Sequence, residues 1–421
     1  MRSIAFHPSD PATYAAVYNE AGGGLLITHD GGSSFQLACT SYVIGKRYLE
    51  SVLPVVSYTP DGHLVVATFD GLFRDDGAGC NFTHATELGD RYVVGLTSDP
   101  TQPSTLYALT SSGGEQNGIY RSTDQGATWS PFGALEQAFF RTLYIVPLPG
   151  GGRRFYVSLA ALEDGSVALQ ASIRVSEDEG ASFTEYAFPQ DSDMTLVGVD
   201  ARDPDRIYAV APDFTGMSAR LLVNTAKGDP QAWKELGSVG SLGSFETRPE
   251  GGFFAVDLES RQLLRLNASG DGLELVDPMQ ITCFQTSPLT GQHFSCATFR
   301  LLEADASGVH TDKLVFDMNN LGSFVSCPGQ EKALAASCQP QLDFGWCGGT
   351  HFPDAPLCQT KCVDDAGMSC VDGGTEPPKQ SPKSGCAISA MPATPGLLAP
   401  GALLLWGLWR RRRRRASSAC D

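Results

Sequence analysis

The chain has 421 residues, of which 42% are hydrophobic, 46 are glycine and 26 are proline. This composition excludes a globally disordered chain and is typical of a folded protein with many turns. Its 47 acidic and 30 basic residues give a formal net charge of −17, which repels phosphate backbones and argues against a nucleic-acid partner.

The N-terminus lacks a recognisable export signal. MRSIAFHPSD has no charged segment followed by an apolar run and no small-residue cleavage site, and a strand pattern begins directly at Arg2. The C-terminal features described below nevertheless indicate export. Either export is unconventional or a natural upstream segment precedes Met1, and we favour the second interpretation.

An eight-residue motif recurs with Ser or Thr first, Asp third, Gly fifth and Phe or Trp eighth. Its copies are THDGGSSF, STDQGATW and SEDEGASF. The Asp and hydroxyl side chains are suited to bind backbone N–H groups locally, Gly adopts positive φ, and the aromatic residue packs, so the motif predicts a β-hairpin turn. The candidate structural residues are Thr28, Asp30, Gly32, Phe35, Ser122, Asp124, Gly126, Trp129, Ser176, Asp178, Gly180 and Phe183.

A fourth copy, DDGAGCNF, starts at Asp75 and retains Gly79 and Phe82, with its second Asp displaced to position 76. The four copies start 47, 47 and 54 residues apart, a period typical of four-stranded propeller blades. Strand–turn–strand cycles, with Asp-Pro turns before several second strands, predict an all-β, seven-bladed β-propeller over residues 1–322. The Asp turn is lost in the last three blades, where only Trp233 lies near the expected aromatic position.

The 12 cysteines are unevenly distributed along the chain. Cys283 and Cys296 flank one turn and are placed to cross-link its strands, whereas Cys39 and Cys80 are placed to join neighbouring blades. Six more cysteines in residues 323–370 predict a small disulfide-rich module with about three disulfides and an oxidising compartment. A zinc site is the weaker alternative, because the chain has no C-x2-C pair, and we predict no metal and no cofactor. The disulfide candidates are Cys39, Cys80, Cys283, Cys296, Cys327, Cys338, Cys347, Cys358, Cys362 and Cys370.

Residues 371–385 form a Pro/Gly/Ser/Lys-rich linker, and residues 386–421 form a hydrophobic tail with a basic end. The apolar run Leu397–Trp409 is interrupted by Pro400 and is short for a membrane span of about 20 residues, but counted from Ala387 it reaches 23. A basic block follows, as in a stop-transfer signal. We therefore predict a C-terminal transmembrane helix. The block consists of Arg410, Arg411, Arg412, Arg413, Arg414 and Arg415.

These segments resemble two known families. The eight-residue turns resemble the Asp-box (BNR) repeats of sialidase-like, sortilin-like and photosystem-assembly-factor-like β-propellers, over about residues 2–320. This resemblance implies that the turn aspartates lie at the blade periphery in a structural role. The tail resembles the MYXO-CTERM sorting signal, with the Gly385–Cys386 pair, the apolar stretch and the Arg block, although its apolar stretch is short and ASSACD follows the arginines.

The second resemblance implies export to the cell surface or outer membrane, a sorting protease acting near Cys386, and lipid-assisted membrane attachment. An ordinary disulfide is the alternative role for Cys386. Sialidase activity is disfavoured, because the Phe-Arg-Ile-Pro motif of such enzymes is absent and Phe299-Arg300 is followed by two leucines. No nucleophile or phosphate motif occurs either.

We therefore predict a surface-anchored, non-catalytic propeller that binds an unidentified protein or glycan. The alternative is a secreted or surface glycoside hydrolase, which would use two carboxylates across a cleft. With 47 acidic residues, sequence spacing cannot select such a pair, so no catalytic or ligand-binding residue is assigned.

Overall fold

Seven antiparallel β-sheets form a seven-bladed propeller in the computed structural model. The structure describes residues 3–18, 24–44, 54–77, 79–162, 169–189, 193–213, 218–297, 300–317, 321, 323–329, 334 and 338. Each blade has four strands in chain order, and the first strands of successive blades contact one another from β1 round to β25 and back to β1. These first strands therefore form the closed inner ring of the propeller.

The strands follow the sevenfold cycle that the motif spacing predicts. Blade 1 contains β1 (Ser3–Phe6), β2 (Tyr14–Tyr18), β3 (Gly24–Thr28) and β4 (Gln36–Cys39), followed by the one-turn helix α1 (Thr40–Val43). Blade 2 contains β5 (Val55–Tyr58), β6 (Leu64–Thr68), β7 (Gly71–Arg74) and β8 (Thr83–His84). Blade 3 contains β9 (Val93–Ser98), β10 (Leu106–Thr110), β11 (Ile119–Ser122) and β12 (Ser130–Pro131). Blade 4 contains β13 (Ala138–Pro147), β14 (Arg153–Leu162), β15 (Leu169–Ser176) and β16 (Thr184–Ala187).

The last three blades have the same organisation despite their weaker sequence signal. Blade 5 contains β17 (Thr195–Val199), β18 (Ile207–Pro212), β19 (Ala219–Asn224) and β20 (Trp233–Val239). Blade 6 contains β21 (Leu242–Thr247), β22 (Phe253–Asp257), β23 (Gln262–Leu266) and β24 (Leu273–Asp277). Blade 7 contains β25 (Cys283–Thr286), β26 (His293–Cys296), β27 (Arg300–Ala304) and β28 (His310–Asp317). A final strand, β29 (Ser323–Phe324), pairs in parallel with β4.

The second strand of each blade lies in the apolar core because both faces of a blade pack against its neighbours. Every residue of β2 is buried, and its side chains alternate between two clusters. Tyr14 and Ala16 pack with residues of blade 7, whereas Ala15 and Val17 pack with residues of blade 2. This two-sided burial explains why β2 is apolar throughout rather than alternating with polar residues.

All seven turns between third and fourth strands share one hydrogen bond. A side-chain oxygen at the first turn residue accepts the backbone N–H of the residue four positions later. Beyond the predicted motif, Asn224, Asn267 and Asp305 supply this oxygen in the last three blades. The bonds are Thr28–Gly32 (3.0 Å), Asp75–Gly79 (2.7 Å), Ser122–Gly126 (2.8 Å), Ser176–Gly180 (2.8 Å), Asn224–Gly228 (3.0 Å), Asn267–Asp271 (3.1 Å) and Asp305–Val309 (3.1 Å).

The motif aspartate adds a second layer of hydrogen bonds in the three intact turns. Asp178 accepts the backbone N–H of Ser182 at 2.9 Å and the hydroxyls of Ser182 and Ser176 at 2.5 and 2.8 Å. These bonds, with that of the Ser182 hydroxyl the largest, lower the pKa of Asp178 to about 2. Asp30 and Asp124 make the same set of contacts. The carboxylate thus organises its own turn.

The C-terminal segment packs against blades 1 and 2. Val325 donates its N–H to Leu37 of β4 at 3.1 Å, and disulfides join Cys39 to Cys338 and Cys80 to Cys327. All four cysteines are buried in one apolar layer between blades 1 and 2. We call residues 323–338, of which the structure describes 323–329, 334 and 338, the C-terminal strap.

These disulfides correct two predictions about cysteine pairing. Cys39 and Cys80 do not join blades to each other, because the strap enters the layer between them and supplies both partners. For the same reason Cys327 and Cys338 do not pair within the cysteine-rich segment. The predicted Cys283–Cys296 disulfide is present, between paired positions of β25 and β26. The other cysteines of the segment, and Cys386, lie outside the described residues.

Among the residues that the structure describes, no helix is long and apolar enough to cross a membrane. The predicted transmembrane helix, together with Gly385 and the Arg block, lies outside them.

Candidate functional site

The twelve predicted motif residues do not form a common site. They lie in three separate turns, in blades 1, 3 and 4, and each set closes its own hairpin. Across the described part of the chain, no group of three or more His, Cys, Asp or Glu side chains is arranged to hold a metal ion. The motif turns are therefore structural, and the candidate site described below lies between two blades.

Arginine charges at two blade interfaces are paired with acids. Between blades 3 and 4, Arg153 pairs with Asp99 and Glu179. Between blades 4 and 5, Arg154 pairs with Glu177 and Asp205. Each of these guanidinium groups binds two carboxylates, one from each of two neighbouring blades, and thereby holds the blades together. In such an acidic protein, arginines without an acid partner stand out.

Two such arginines line a cleft of about 510 Å³ between blades 5 and 6. The β17–β18 turn of blade 5 forms one wall, and the β21–β22 and β23–β24 turns of blade 6 form the other. The volume lies within the range of small-ligand sites. The residues used below that line the cleft are Asp200, Arg202, Asp203, Arg206, Phe253 and Ser269, with Asn267 and Gly270 beside Ser269.

Asp200 builds the blade 5 wall. One carboxylate oxygen accepts the N–H groups of Arg202 and Asp203 at 3.0 and 3.3 Å, which folds the Asp-Pro turn. The other oxygen accepts the Tyr208 hydroxyl at 2.9 Å and the Gly252 N–H of blade 6 at 3.0 Å. Burial raises the pKa of Asp200, but these hydrogen bonds outweigh it and lower the pKa below its usual value. Asp200 is therefore an anion that joins the two walls.

Arg206 spans the cleft without an acid partner. Its Nη2 donates to the Gly270 carbonyl of blade 6 at 3.4 Å, and its guanidinium carbon lies 5.7 Å from the ring centre of Tyr208. Its Nε is buried and has no hydrogen-bond partner among the described residues. Arg202 is exposed at the rim and donates through Nε to the Pro249 carbonyl at 3.2 Å. Neither arginine forms an ion pair with a described carboxylate.

The corresponding turn of blade 4, which joins β13 to β14 at the interface with blade 3, shows why this cleft stays open. Both turns close with the same backbone bond, from Leu148 to Gly152 and from Arg248 to Gly252. The next residue is Arg153 in blade 4, where its charged group fills the interface between Asp99 and Glu179. In blade 6 the next residue is Phe253, which turns fully into the core.

Phe253 is 0% exposed, and its ring centre lies 4.9 Å from that of Tyr208. Arg248 does not replace the missing cation, because its guanidinium pairs with Glu250 and lies 4.8 Å from the ring centre of Phe254. The open charges of the cleft therefore come from blade 5 alone.

Sequence reasoning missed this cleft. The segment ARDPDR contains both Arg202 and Arg206, but its sequence pattern predicts only an Asp-Pro turn. The sequence signal is two arginines flanking one turn. The facing turns of blade 6 contain acids, but Glu250 pairs with Arg248 and Asp271 accepts hydrogen bonds from Asn267 and Ser269.

A second unusual group, Glu246, lies on the inner strand β21. Its Oε1 accepts the Thr286 N–H of blade 7 at 3.1 Å, and its Oε2 is buried without a partner among the described residues. Burial is the largest influence and raises the pKa of Glu246 to about 7, with the Thr286 hydrogen bonds opposing it. The described residues place no charged group close enough to shift this pKa.

No family model matches the chain, and no curated protein matches it. Solved structures share its fold. An ancestral GH74 enzyme is 12% identical, with 75% of this chain and 46% of that chain covered and a TM-score of 0.55. The Niastella koreensis GH74 enzyme is 15% identical, with 74% and 52% covered and a TM-score of 0.49. YCF48 from Cyanidioschyzon merolae is 13% identical, with 69% and 91% covered and a TM-score of 0.47.

The chain thus spans about half the length of the GH74 enzymes that it matches. At these identities the similarity shows the propeller fold alone, which enzymes and non-catalytic proteins share.

Proposed function

We propose that this protein is a non-catalytic β-propeller that binds a ligand in the cleft between blades 5 and 6. The observation that carries the proposal is the pair Arg202 and Arg206, which line the cleft without acid partners among the described residues. An anionic ligand that enters the cleft gains charge-assisted hydrogen bonds from guanidinium groups that no described acid already occupies.

We further propose that the propeller belongs with the Asp-box proteins and is presented at the cell surface. The hydrogen bond common to all seven turns supports the first assignment. Gly385, Cys386, the apolar run and the arginines that follow it support the second, together with three disulfides suited to an oxidising compartment. A sorting protease and the membrane are partners in this proposal.

Binding can be tested with the full chain on arrays of glycans and peptides. We expect ligands of the wild type to lose most of their signal with Arg206→Gln. Arg261→Gln is the matched control, since Arg261 is exposed on the β22–β23 turn and lies outside the cleft. Equal signals from both variants would place the binding site elsewhere. Ligands recovered chemically unchanged would agree with a non-catalytic role.

Surface presentation can be tested by mass spectrometry of mature protein from the cell surface. We expect peptides containing Arg410–Asp421 to be missing after processing near Cys386. Their recovery from surface protein would contradict the sorting proposal, and it would leave the ligand-binding proposal intact.

Glycoside hydrolysis is the second candidate function, because Glu246 has the raised pKa expected of a general acid. The reaction also needs a second carboxylate within about 5 to 10 Å. No carboxylate among the described residues contributes to the raised pKa of Glu246. Hydrolysis of a glycan by the wild type that Glu246→Gln abolishes would favour this function over the binding proposal. We expect no such hydrolysis.

A further inference from the structure

We propose that the cleft between blades 5 and 6 recognises the carboxylate of an acidic sugar chain. This inference rests on the proposed function, since it names the ligand class of the same cleft. The carboxylate would bind Arg206, which is partly exposed in the cleft, has no described acid partner and makes only a long 3.4 Å bond from Nη2 to the Gly270 carbonyl. A planar guanidinium presents paired donors that match a planar carboxylate.

The acids in the wall limit the charge of the ligand. Asp200 remains ionised inside the cleft, and Asp203 lies exposed at its edge. A dianionic group such as a phosphate monoester would be repelled by both carboxylates while it was attracted to Arg202 and Arg206. A group with a single negative charge gains the same guanidinium contacts with less repulsion. The balance of charges therefore favours a singly charged anion such as a carboxylate over a phosphate monoester.

The remaining polar groups suit hydroxyls next to that carboxylate. Asp203 uses one carboxylate oxygen for the Asp205 N–H at 3.0 Å, and no described residue donates to the other oxygen. The single hydroxyl proton of Ser269 is directed at Asp271 or Asn267, so toward a ligand the hydroxyl oxygen is an acceptor. Acceptors beside a cation require a ligand that carries O–H donors next to its acid group. Sugar acids have this combination, whereas side chains of an acidic peptide have carboxylates without hydroxyls.

Isothermal titration of the full chain tests the inference with three probes of equal length. The first is a short oligogalacturonate, and the second is its methyl ester, which has the same rings without charge. The third is an oligosaccharide of uncharged sugars that carries sulfate esters as its only charged groups. We expect the oligogalacturonate to bind at least about tenfold more tightly than the ester or the sulfated probe, because only it offers a planar charged acceptor. We also expect its binding to weaken as salt is raised.

Two variants connect the binding to Arg206. Arg206→Gln should weaken oligogalacturonate binding by about tenfold or more, and Arg206→Lys, which keeps the charge and loses the paired donors, should have an intermediate effect. Arg261→Gln should bind like the wild type. Unfolding temperatures of all variants establish that each is folded before binding is compared.

Equal binding of the acid and ester probes, or tighter binding of the sulfated probe, would overturn the carboxylate assignment. So would an absence of oligogalacturonate binding by folded wild-type protein. If another array ligand still depended on Arg206, the cleft would remain the binding site and only the ligand class would be wrong. If no ligand depended on Arg206, both this inference and the proposed function would fail.

Discussion

Arg206 and Glu246 both have a buried polar atom without a described partner, but their surroundings give them different roles. Arg206 lines an open cleft, where an anionic ligand can pair with its guanidinium group. Glu246 lies between the inner strands of blades 6 and 7, where it binds the Thr286 backbone. Because Glu246 can lose its charge by binding a proton, whereas arginine keeps its charge, only Glu246 makes stability depend on pH near neutrality.

The pKa of Glu246 predicts how the free energy of unfolding changes with pH. Burial raises the pKa from 4.5 to about 7 in the folded protein, so between these values the folded state holds a proton that the unfolded state has lost. Its contribution is therefore fully present below pH 4.5 and is lost as pH rises through about 7. We expect the loss to be on the order of 3 kcal/mol.

Denaturant unfolding of the wild type and Glu246→Gln across this pH range measures the effect. The glutamine variant cannot ionise, so its stability relative to the wild type should improve as pH rises. Parallel pH profiles for the two proteins would show that Glu246 has an ordinary pKa.

At the scale of elements, the turn between third and fourth strands depends on backbone conformation as well as on its hydrogen bonds. In the blade 4 turn, Glu179 and Gly180 adopt positive φ values of 62° and 84° in succession. Gly180 also lies directly against the Phe132 ring of blade 3, so that a Cβ at this position would overlap the ring. The fifth motif position is therefore glycine for two reasons, namely conformation and close contact between blades.

Gly180→Ala and Gly133→Ala separate these two causes. Gly133 has a similar φ of 89°, but a Cβ there would meet nothing within 4 Å. Both variants incur the cost of positive φ, and only Gly180→Ala also forces Phe132 to move. We expect Gly180→Ala to lower the free energy of unfolding by about 1 to 3 kcal/mol more than Gly133→Ala. Equal losses in denaturant unfolding would mean that backbone conformation alone explains the glycine.

At the scale of the whole molecule, the inner strands of blades 7 and 1 close the ring without exchange of strands between the chain ends, and the C-terminal strap is fastened to blades 1 and 2. Blade 1 consists of four N-terminal strands, and the strap adds only the two-residue strand β29 to its outer edge. The disulfides Cys39–Cys338 and Cys80–Cys327 span 299 and 247 residues. They hold the point where the tail leaves the propeller against blades 1 and 2.

Removing the strap disulfides should destabilise the protein more than removing the local one. In the chain-entropy model, a disulfide that closes a loop of several hundred residues lowers the entropy of the unfolded chain and so stabilises the folded state by about 5 kcal/mol. A loop as short as that of Cys283–Cys296 gives about 3 kcal/mol. We expect alanine at all four strap cysteines to lower the unfolding temperature more than alanine at Cys283 and Cys296. A larger effect of the local disulfide would show that the strap disulfides contribute little to the stability of the folded protein.

The sequence by itself determined the propeller, because the pattern that specifies each blade lies within one continuous stretch of the chain. The turn motif, its spacing and the apolar second strands need only neighbouring residues to be recognised, and the Cys283–Cys296 pair was predictable for the same reason. A motif with Asp at its third position does not match the turns that begin at Asn224, Asn267 and Asp305, because the hydrogen bond common to all blades depends on the first position instead.

Only the tertiary structure decided the cysteine partners of the strap and the cleft between blades 5 and 6. Cys39 and Cys338 lie 299 residues apart, and no local pattern encodes their contact. Arg206 meets Gly270 of the next blade across 64 residues, and whether its charge is paired depends on which side chain the neighbouring blade supplies. Burial and charge pairing at a blade interface are properties of two chain segments together, which neither segment reveals alone.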